Sequence, residues 1–136
     1  MSGRKTLRLG LETLLAFVAI NAFAGGLYGM AGAKAVPVEW LEGSWFSSYF
    51  VPGLILFAVV GGTCALAAIA MFARWNLALE LAALAGSVVI VWLAIEVAVI
   101  GFVSWLQPAT GCAGVLILLL VYVHESAHSA SAWRTR

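Results

Sequence analysis

Residues 77–103 read LALELAALAGSVVIVWLAIEVAVIGFV, a nearly unbroken apolar run that is interrupted well inside by Glu96. At 1.5 Å per residue, a helix over this run is long enough to cross the ~30 Å hydrocarbon core of a bilayer. An ionisable side chain inside the hydrocarbon is costly, so such a residue is by default a candidate for function. The run therefore predicts a membrane span organised around Glu96.

The composition of the whole chain points the same way. Hydrophobic residues make up 64% of the 136 residues, and charged residues make up only 10%. Soluble domains are roughly 45–50% apolar and about 25% charged, so this composition excludes an ordinary soluble globule. Runs of spanning length lie at residues 9–30, 51–72, 77–103 and 108–123. The sequence therefore predicts an all-α integral membrane four-helix bundle that forms a single domain over residues 1–136.

The positive charges are distributed unevenly between the two sets of predicted loops and tails. One set contains Arg4, Lys5, Arg8, Arg74, Arg134 and Arg136. The opposite set contains only Lys34, so the positive-inside rule predicts that both termini face the cytoplasm. The first run is longer than the apolar core of a signal peptide and carries Glu12, so it is predicted to be a span. Arg8 and Glu12, one helical turn apart, are expected either to pair at the cytoplasmic boundary or to extend separately toward the interface.

The predicted external loop, residues 31–49, is rich in aromatic side chains. They include Trp40, Trp45, Phe46 and Tyr49. Trp and Tyr concentrate at the membrane–water interface, which favours the interpretation of this cluster as an anchoring belt. A docking surface for a partner protein is the alternative.

Glycines mark two places where helices are predicted to pack closely. Gly25 and Gly29 form a small-xxx-small pattern in the first span, and Gly61 and Gly62 lie near the middle of the second. Small residues allow two membrane helices to approach each other closely. Packing within the chain is the favoured interpretation for Gly25 and Gly29, and self-association is the alternative. A close helix crossing is favoured for Gly61 and Gly62, and a bound cofactor or lipid is the alternative there.

An intramembrane polar site is predicted around Glu96, with Asn21 and Gln107. Counted along ideal helices, Glu96 lies roughly 10 Å and Asn21 roughly 13 Å inside the outer ends of their spans, so the two side chains would meet between adjacent helices. Gln107 would bend toward Glu96 from the outer turn. The site would bind a proton or cation, or else Glu96 would hold helices together or face a partner subunit. The face of Glu96 is predicted to pack against protein because it carries Ala82, Ala85, Val89 and Trp92.

The C-terminal segment HESAH, from His124 to His128, matches the H-E-x-x-H pattern. In metalloproteases the two histidines share a helical face and hold zinc, and the Glu is the general base. A third ligand here would have to come from Glu12 or Glu80. Histidines at a helix C-terminus are also favoured by the helix dipole. A polar helix end is therefore preferred over a metal site at His124 and His128 or a catalytic role for Glu125.

Segments of the chain resemble a family of membrane proteins. PVEWLEGS at 37–44, its continuation at 49–62, and SWLQP at 104–108 are similar to small, uncharacterised four-span proteins of bacterial inner membranes. The resemblance covers most of the chain except the C-terminal tail. It implies a multi-pass topology in the inner (cytoplasmic) membrane, and it supplies no catalytic residue.

The leading functional hypothesis is a helper or structural subunit of a membrane protein complex. Its partners would be the lipid bilayer and other membrane subunits, or further copies of the same chain. The alternative is a proton- or cation-coupled small transporter centred on Glu96, and the third hypothesis is a zinc-dependent membrane hydrolase using residues 124–128. No cofactor and no nucleic-acid partner are expected, and enzymatic activity is not the favoured hypothesis.

Overall fold

The computed structural model of the chain describes residues 2–32, 38–41, 48–101 and 106–134. In these ranges the regular secondary structure is helical and contains no strand. Four helices in the described ranges are long and apolar enough to cross a membrane. The predicted all-helical fold with four candidate spans is therefore confirmed.

The helices follow one another along the chain with short connections. The described elements are α1 (Ser2–Met30), a 3-10 turn (Val38–Leu41), α2 (Phe50–Ile55), a π-helical segment (Leu56–Gly61), α3 (Gly62–Ala73), α4 (Ala78–Ile100) and α5 (Leu106–Arg134). The candidate membrane spans are Lys5–Met30, Phe50–Ala73, Ala78–Val99 and Gln107–Ser126. The second span therefore consists of α2, the π segment and α3.

The ends of the last two spans differ from the predicted bounds. α4 ends at Ile100, and Gly101 follows it with a φ of 76°, a backbone conformation that glycine adopts without steric cost. α5 continues through the HESAH segment to Arg134. Residues 124–134 contain neither Gly nor Pro, so no local helix breaker stops α5 earlier.

A tight turn at Arg74 reverses the chain between α3 and α4. Arg74 has a φ of 58° and its N–H donates to the Met71 carbonyl, while the Trp75 N–H donates to the Ala70 carbonyl over 3.0 Å. These two bonds form a Schellman motif, which satisfies carbonyls at the end of a helix. The short turn makes α3 and α4 an antiparallel pair.

α1 and α2 cross at a distance that only glycines permit. A Cβ added at Gly53 would lie 2.8 Å from both the Gly26 carbonyl oxygen and the Met30 nitrogen. A Cβ added at Gly29 would lie 3.0 Å from the Gly53 Cα. The first and second spans are therefore in backbone contact near one end of the bundle.

Glycines also bring α4 and α5 together. A Cβ added at Gly114 would lie 2.9 Å from Ile90 Cγ1 and 3.4 Å from the Gly86 carbonyl oxygen. A Cβ added at Gly86 would in turn lie 3.0 Å from Ile117 Cγ2. This crossing fixes the register of the two helices that carry Glu96 and Gln107.

The core lies between the four spans and is rich in alanine. Its fully buried larger side chains are Leu11, Leu15, Cys64, Val89 and Ile117. The predicted inner face of the third span is confirmed, because three of its residues are completely buried and the fourth packs against the core. These residues are Ala82, Ala85, Val89 and Trp92.

Candidate functional site

Glu96 lies in α4, one turn before the helix ends at Ile100. Its side chain is half-buried and accepts a hydrogen bond from the side chain of Gln107. The glycine crossing described above holds α5 against α4, which brings the first turn of α5 near the last turns of α4. The structure therefore brings together two of the three residues predicted to form the intramembrane polar site.

Gln107 also closes the outer turn. Its Nε2 donates to the Gly101 carbonyl oxygen over 3.0 Å, and the residue is only 4% exposed. A Gln amide carries two N–H donors, so it has the capacity to serve Glu96 and Gly101 together. Pro108 follows in the first turn of α5, where a missing N–H costs little. Gln107 thereby joins the end of α4 to the start of α5.

Asn21 lies apart from this pair. Its Nδ2 donates to the Phe17 carbonyl oxygen over 2.8 Å, one turn back along α1, and the side chain is exposed. The cause is the rotation of α1, which buries Leu11, Leu15, Val18 and Ala22. These positions share one face of the helix, and Asn21 falls outside it.

At the opposite end of the bundle, charged groups connect α1 to α3. Arg8 Nε donates to Glu12 Oε1 over 2.8 Å, which confirms the pairing predicted from their spacing. Arg8 Nη2 also donates to the Met71 carbonyl oxygen at the end of α3. Sequence reasoning missed this second bond and the depth of Glu12, which is only 6% exposed.

The HESAH segment is helical, because it lies inside α5. Glu125 is exposed and His124 is half-buried, whereas the side chain of His128 lies outside those that the structure describes. Glu12 is paired with Arg8, and Glu80 is exposed in the first turn of α4. Among the described side chains, no three His, Cys, Asp or Glu residues are grouped so that they would hold a metal ion.

The glycines singled out for helix packing have different surroundings. Added Cβ atoms would lie 3.1 Å from Leu56 Cδ2 at Gly25 and 2.8 Å from the Phe23 ring at Gly61. Gly29 takes part in the contact of α1 with α2 described above. A Cβ added at Gly62 would meet nothing within 4 Å. Gly25, Gly29 and Gly61 thus make contacts within the chain.

Most of the predicted external aromatic cluster lies outside the described residues. Trp45 and Phe46 fall in an undescribed range, and the side chain of Trp40 is likewise not described. Tyr49, just before α2, is buried, with 8% of its surface exposed. Burial, and secondly the negative charge of Glu39, raises the pKa of the Tyr49 phenol above its ordinary value.

The π-helical segment was not foreseen from the sequence. The Phe57 ring lies 4.8 Å from the Phe23 ring of α1, centroid to centroid, and Thr63 donates its hydroxyl proton to the Val59 carbonyl. Such segments often occur at functional sites and mark a local departure from regular helix bonding. The residues LFAVVG carry no pattern that distinguishes a π segment from an α-helix.

An open apolar groove runs along the outside of α4 and α5. It has a volume of about 650 Å³ and lies between side chains such as Ile90 and Leu93 of α4 and Val115, Leu116 and Leu119 of α5. Side chains of this kind suit contact with lipid tails, which are as apolar as leucine.

Comparisons with known proteins add no identification to this geometry. No family model matches the chain. No curated protein and no solved structure matches it significantly. The arguments about function therefore depend on the residues and contacts described above.

Proposed function

We propose that the chain is a helper or structural subunit of a protein complex in the bacterial inner membrane. It would cross the membrane four times with both termini in the cytoplasm. The observation that carries this proposal is the role of Gln107, which bonds both the Glu96 carboxyl and the Gly101 carbonyl oxygen. Through this hydrogen bond, Glu96 helps to hold α4 against α5.

Other described polar side chains serve structure in the same way. Arg8 joins Glu12 to the end of α3, as described above. Thr63 and Ser87 each donate to a carbonyl oxygen one turn back in their own helix. Polar groups inside a membrane need hydrogen-bond partners from the protein, because no water is available to bond them there. Their use within the bundle supports a scaffold function over a chemical one.

The proposed orientation is supported by the contact between Arg8 and Met71. This contact brings the start of α1 to the α3–α4 turn, where Arg74 lies. Cations from two separate parts of the sequence therefore lie at one end of the bundle. The positive-inside rule assigns that end to the cytoplasm.

Purification from native membranes tests this function. The full chain, tagged at its C-terminus and extracted in a mild detergent, is expected to carry a membrane protein partner in fixed stoichiometry. A tagged, unrelated four-span protein expressed at the same level is the control. Recovery of the chain without a stoichiometric partner would argue against a subunit function.

A proton- or cation-coupled transporter is the second candidate, and the position of Glu96 is what favours it. Its carboxyl is half-buried inside the third span and bonds a neutral amide, an arrangement that leaves it able to exchange a proton. Flux measured in liposomes tests this candidate with Glu96→Gln, and Glu80→Gln is the matched control at an exposed acid. Loss of flux in Glu96→Gln alone, with unchanged stability, would favour the transporter over the subunit.

A further inference from the structure

Asn21 is an exposed amide near the middle of the first span. It lies nine residues from Met30, where the span ends, which corresponds to about 13 Å along the helix. Its bond to Phe17 uses one of its two N–H donors. In the part of the chain that the structure describes, nothing donates to its Oδ1. An amide oxygen and an N–H thus face the hydrocarbon, where hydrogen-bonding groups are costly without partners.

Asn21 lies within a series of positions that has the spacing of a helix-packing seam. The positions alternate three and four apart, and all are exposed except the half-buried Leu14, namely Gly10, Leu14, Phe17, Asn21, Ala24 and Tyr28. This repeat presents one continuous stripe to a neighbouring helix, as in left-handed helix pairs. Gly10 and Ala24 are small, which allows the backbones to approach closely.

The chemistry of Asn21 selects the partner. An amide is both donor and acceptor, so two copies of the same amide satisfy each other. Copies inserted in the same direction are related by an axis along the membrane normal, so their Asn21 side chains lie at the same depth. A different protein would need a polar side chain at that depth, whereas a second copy provides one by symmetry.

We propose that the outer faces of α1 from two copies of this chain pack together across a two-fold axis. Each Asn21 donates from Nδ2 to the Oδ1 of the other copy. The inference deepens the proposed subunit function, on which it rests, by naming a partner and the face that binds it. It moves Asn21 from the predicted site around Glu96 to an interface between chains.

Disulfide cross-linking of the full chain in phosphatidylcholine vesicles tests the geometry. Cys64→Ala and Cys112→Ser first remove the two native thiols, which are free. Ala24→Cys in this background is expected to form a covalent dimer on mild oxidation. Val115→Cys, at another exposed position, on α5, is the control and is expected to remain monomeric.

Energy transfer between labelled copies in the same vesicles tests the role of the amide. Asn21→Leu is expected to weaken dimerisation roughly tenfold, the effect of losing interhelical hydrogen bonds in a membrane. Asn21→Gln keeps the amide and should retain most of the dimer. Ser87→Leu is the control, because Ser87 is another exposed polar residue that bonds back to its own helix.

Three results would overturn the inference. They are a chain that is monomeric at every protein-to-lipid ratio, a dimer that Asn21→Leu leaves unchanged, and cross-linking through Val115→Cys in place of Ala24→Cys. These outcomes leave the proposed function standing if native membranes yield a different stoichiometric partner. Conversely, a dimer that depends on Asn21 but captures no other protein would contradict the helper function alone.

Discussion

Arg8 Nε lies 2.8 Å from Glu12 Oε1, and in this ion pair the anion is more deeply buried than the cation. The Glu12 side chain is 9% exposed and that of Arg8 is 25% exposed. Removing Arg8 would leave the better-buried charge without its cation, which is the costlier change. We expect Arg8→Met to lower the free energy of unfolding by about 2 kcal/mol and Glu12→Gln by about 1 kcal/mol.

Unfolding by SDS in mixed micelles measures this difference, and Lys5→Met is the control at an exposed cation in the same helix. Equal losses, or a larger loss in Glu12→Gln, would contradict the assignment of Glu12 as the more deeply buried partner. Salt sensitivity provides a further check. Because the Arg8–Glu12 pair is only partly exposed to solvent, its contribution to stability should fall modestly as the ionic strength rises.

The close contact between α1 and α2 predicts that adding one methyl group at Gly53 strongly destabilises the fold. Gly53→Ala would place its Cβ 2.8 Å from backbone atoms of α1, which have no rotamer to change. We expect a loss of about 3 kcal/mol, at the upper end of the usual cost of overpacking. The same unfolding titration measures it.

Gly62→Ala is the matched control for this change. It lies in the same span, and its added Cβ would meet nothing within 4 Å. In a helix, alanine is favoured over glycine by roughly 0.5–1 kcal/mol, so this variant should be as stable as the parent or slightly more stable. Similar losses in both variants would mean that the α1–α2 crossing is not as close as described.

Replacing Gln107 should affect stability more than neutralising Glu96. Gln107→Leu removes the donor to the part-buried Gly101 carbonyl oxygen and to Glu96 together, for an expected loss of about 2 kcal/mol. Glu96→Gln keeps an acceptor for Gln107 and should cost less than about 1 kcal/mol. A double-mutant cycle between the two positions measures their coupling, and additive effects would show that the two side chains do not interact.

The turn at Arg74 offers a stabilising substitution. A non-glycine residue in the left-handed region is strained by roughly 1–2 kcal/mol, so Arg74→Gly should stabilise the hairpin by up to about 1 kcal/mol after the entropy cost of glycine. Asn76→Gly is the control, because no such conformation occurs at position 76. Thermal unfolding in detergent measures both variants. A loss of stability in Arg74→Gly would show that the arginine side chain contributes more than its backbone strain costs.

Tyr49 predicts a loss of stability in alkali. Its pKa in the folded chain is raised above the ordinary value of about 10 by burial and then by Glu39. Because its pKa is raised, the folded state holds the phenol proton more tightly than the unfolded state does. The neutral Tyr49 therefore contributes fully to the free energy of unfolding below about pH 10, and this contribution is lost as the pH rises through the folded pKa. Tyr49→Phe should reduce the alkaline decline, measured by circular dichroism against pH. An identical decline in the variant would contradict the prediction.

The helical architecture could be predicted because the sequence contains four apolar runs long enough to cross a membrane. The small residues Ala82 and Ala85 indicate the inner face of α4 by their helical spacing, and both are completely buried. Gln107 approaches Glu96, as the short outer turn suggested. Each of these features depends on residues close together in sequence or on helical spacing alone.

The orientation of Asn21 and the partner of Gly53 could not be predicted in this way. α1 is apolar on most of its circumference, so its sequence does not indicate which side turns inward. Only the fit of Leu11 and Leu15 into the core decides that rotation. The backbone contact of Gly53 with Gly26 likewise depends on how two helices cross, which single-helix patterns do not encode.

The π segment determines how far α3 is rotated about the helix axis relative to α2. Regular α-helix turns by 100° per residue, whereas wider π-helical turns advance more slowly around the axis. Leu56–Gly61 therefore turns α3 relative to α2, so that Gly53 meets α1 while Ala67 and Ala70 enter the core. Winding the same six residues as a regular α-helix would change the rotation of α3 relative to α2, whereas deleting one residue would favour an α-helix that keeps this rotation nearly unchanged. The π turn therefore accommodates one additional residue in the second span while both halves keep the faces that they bury.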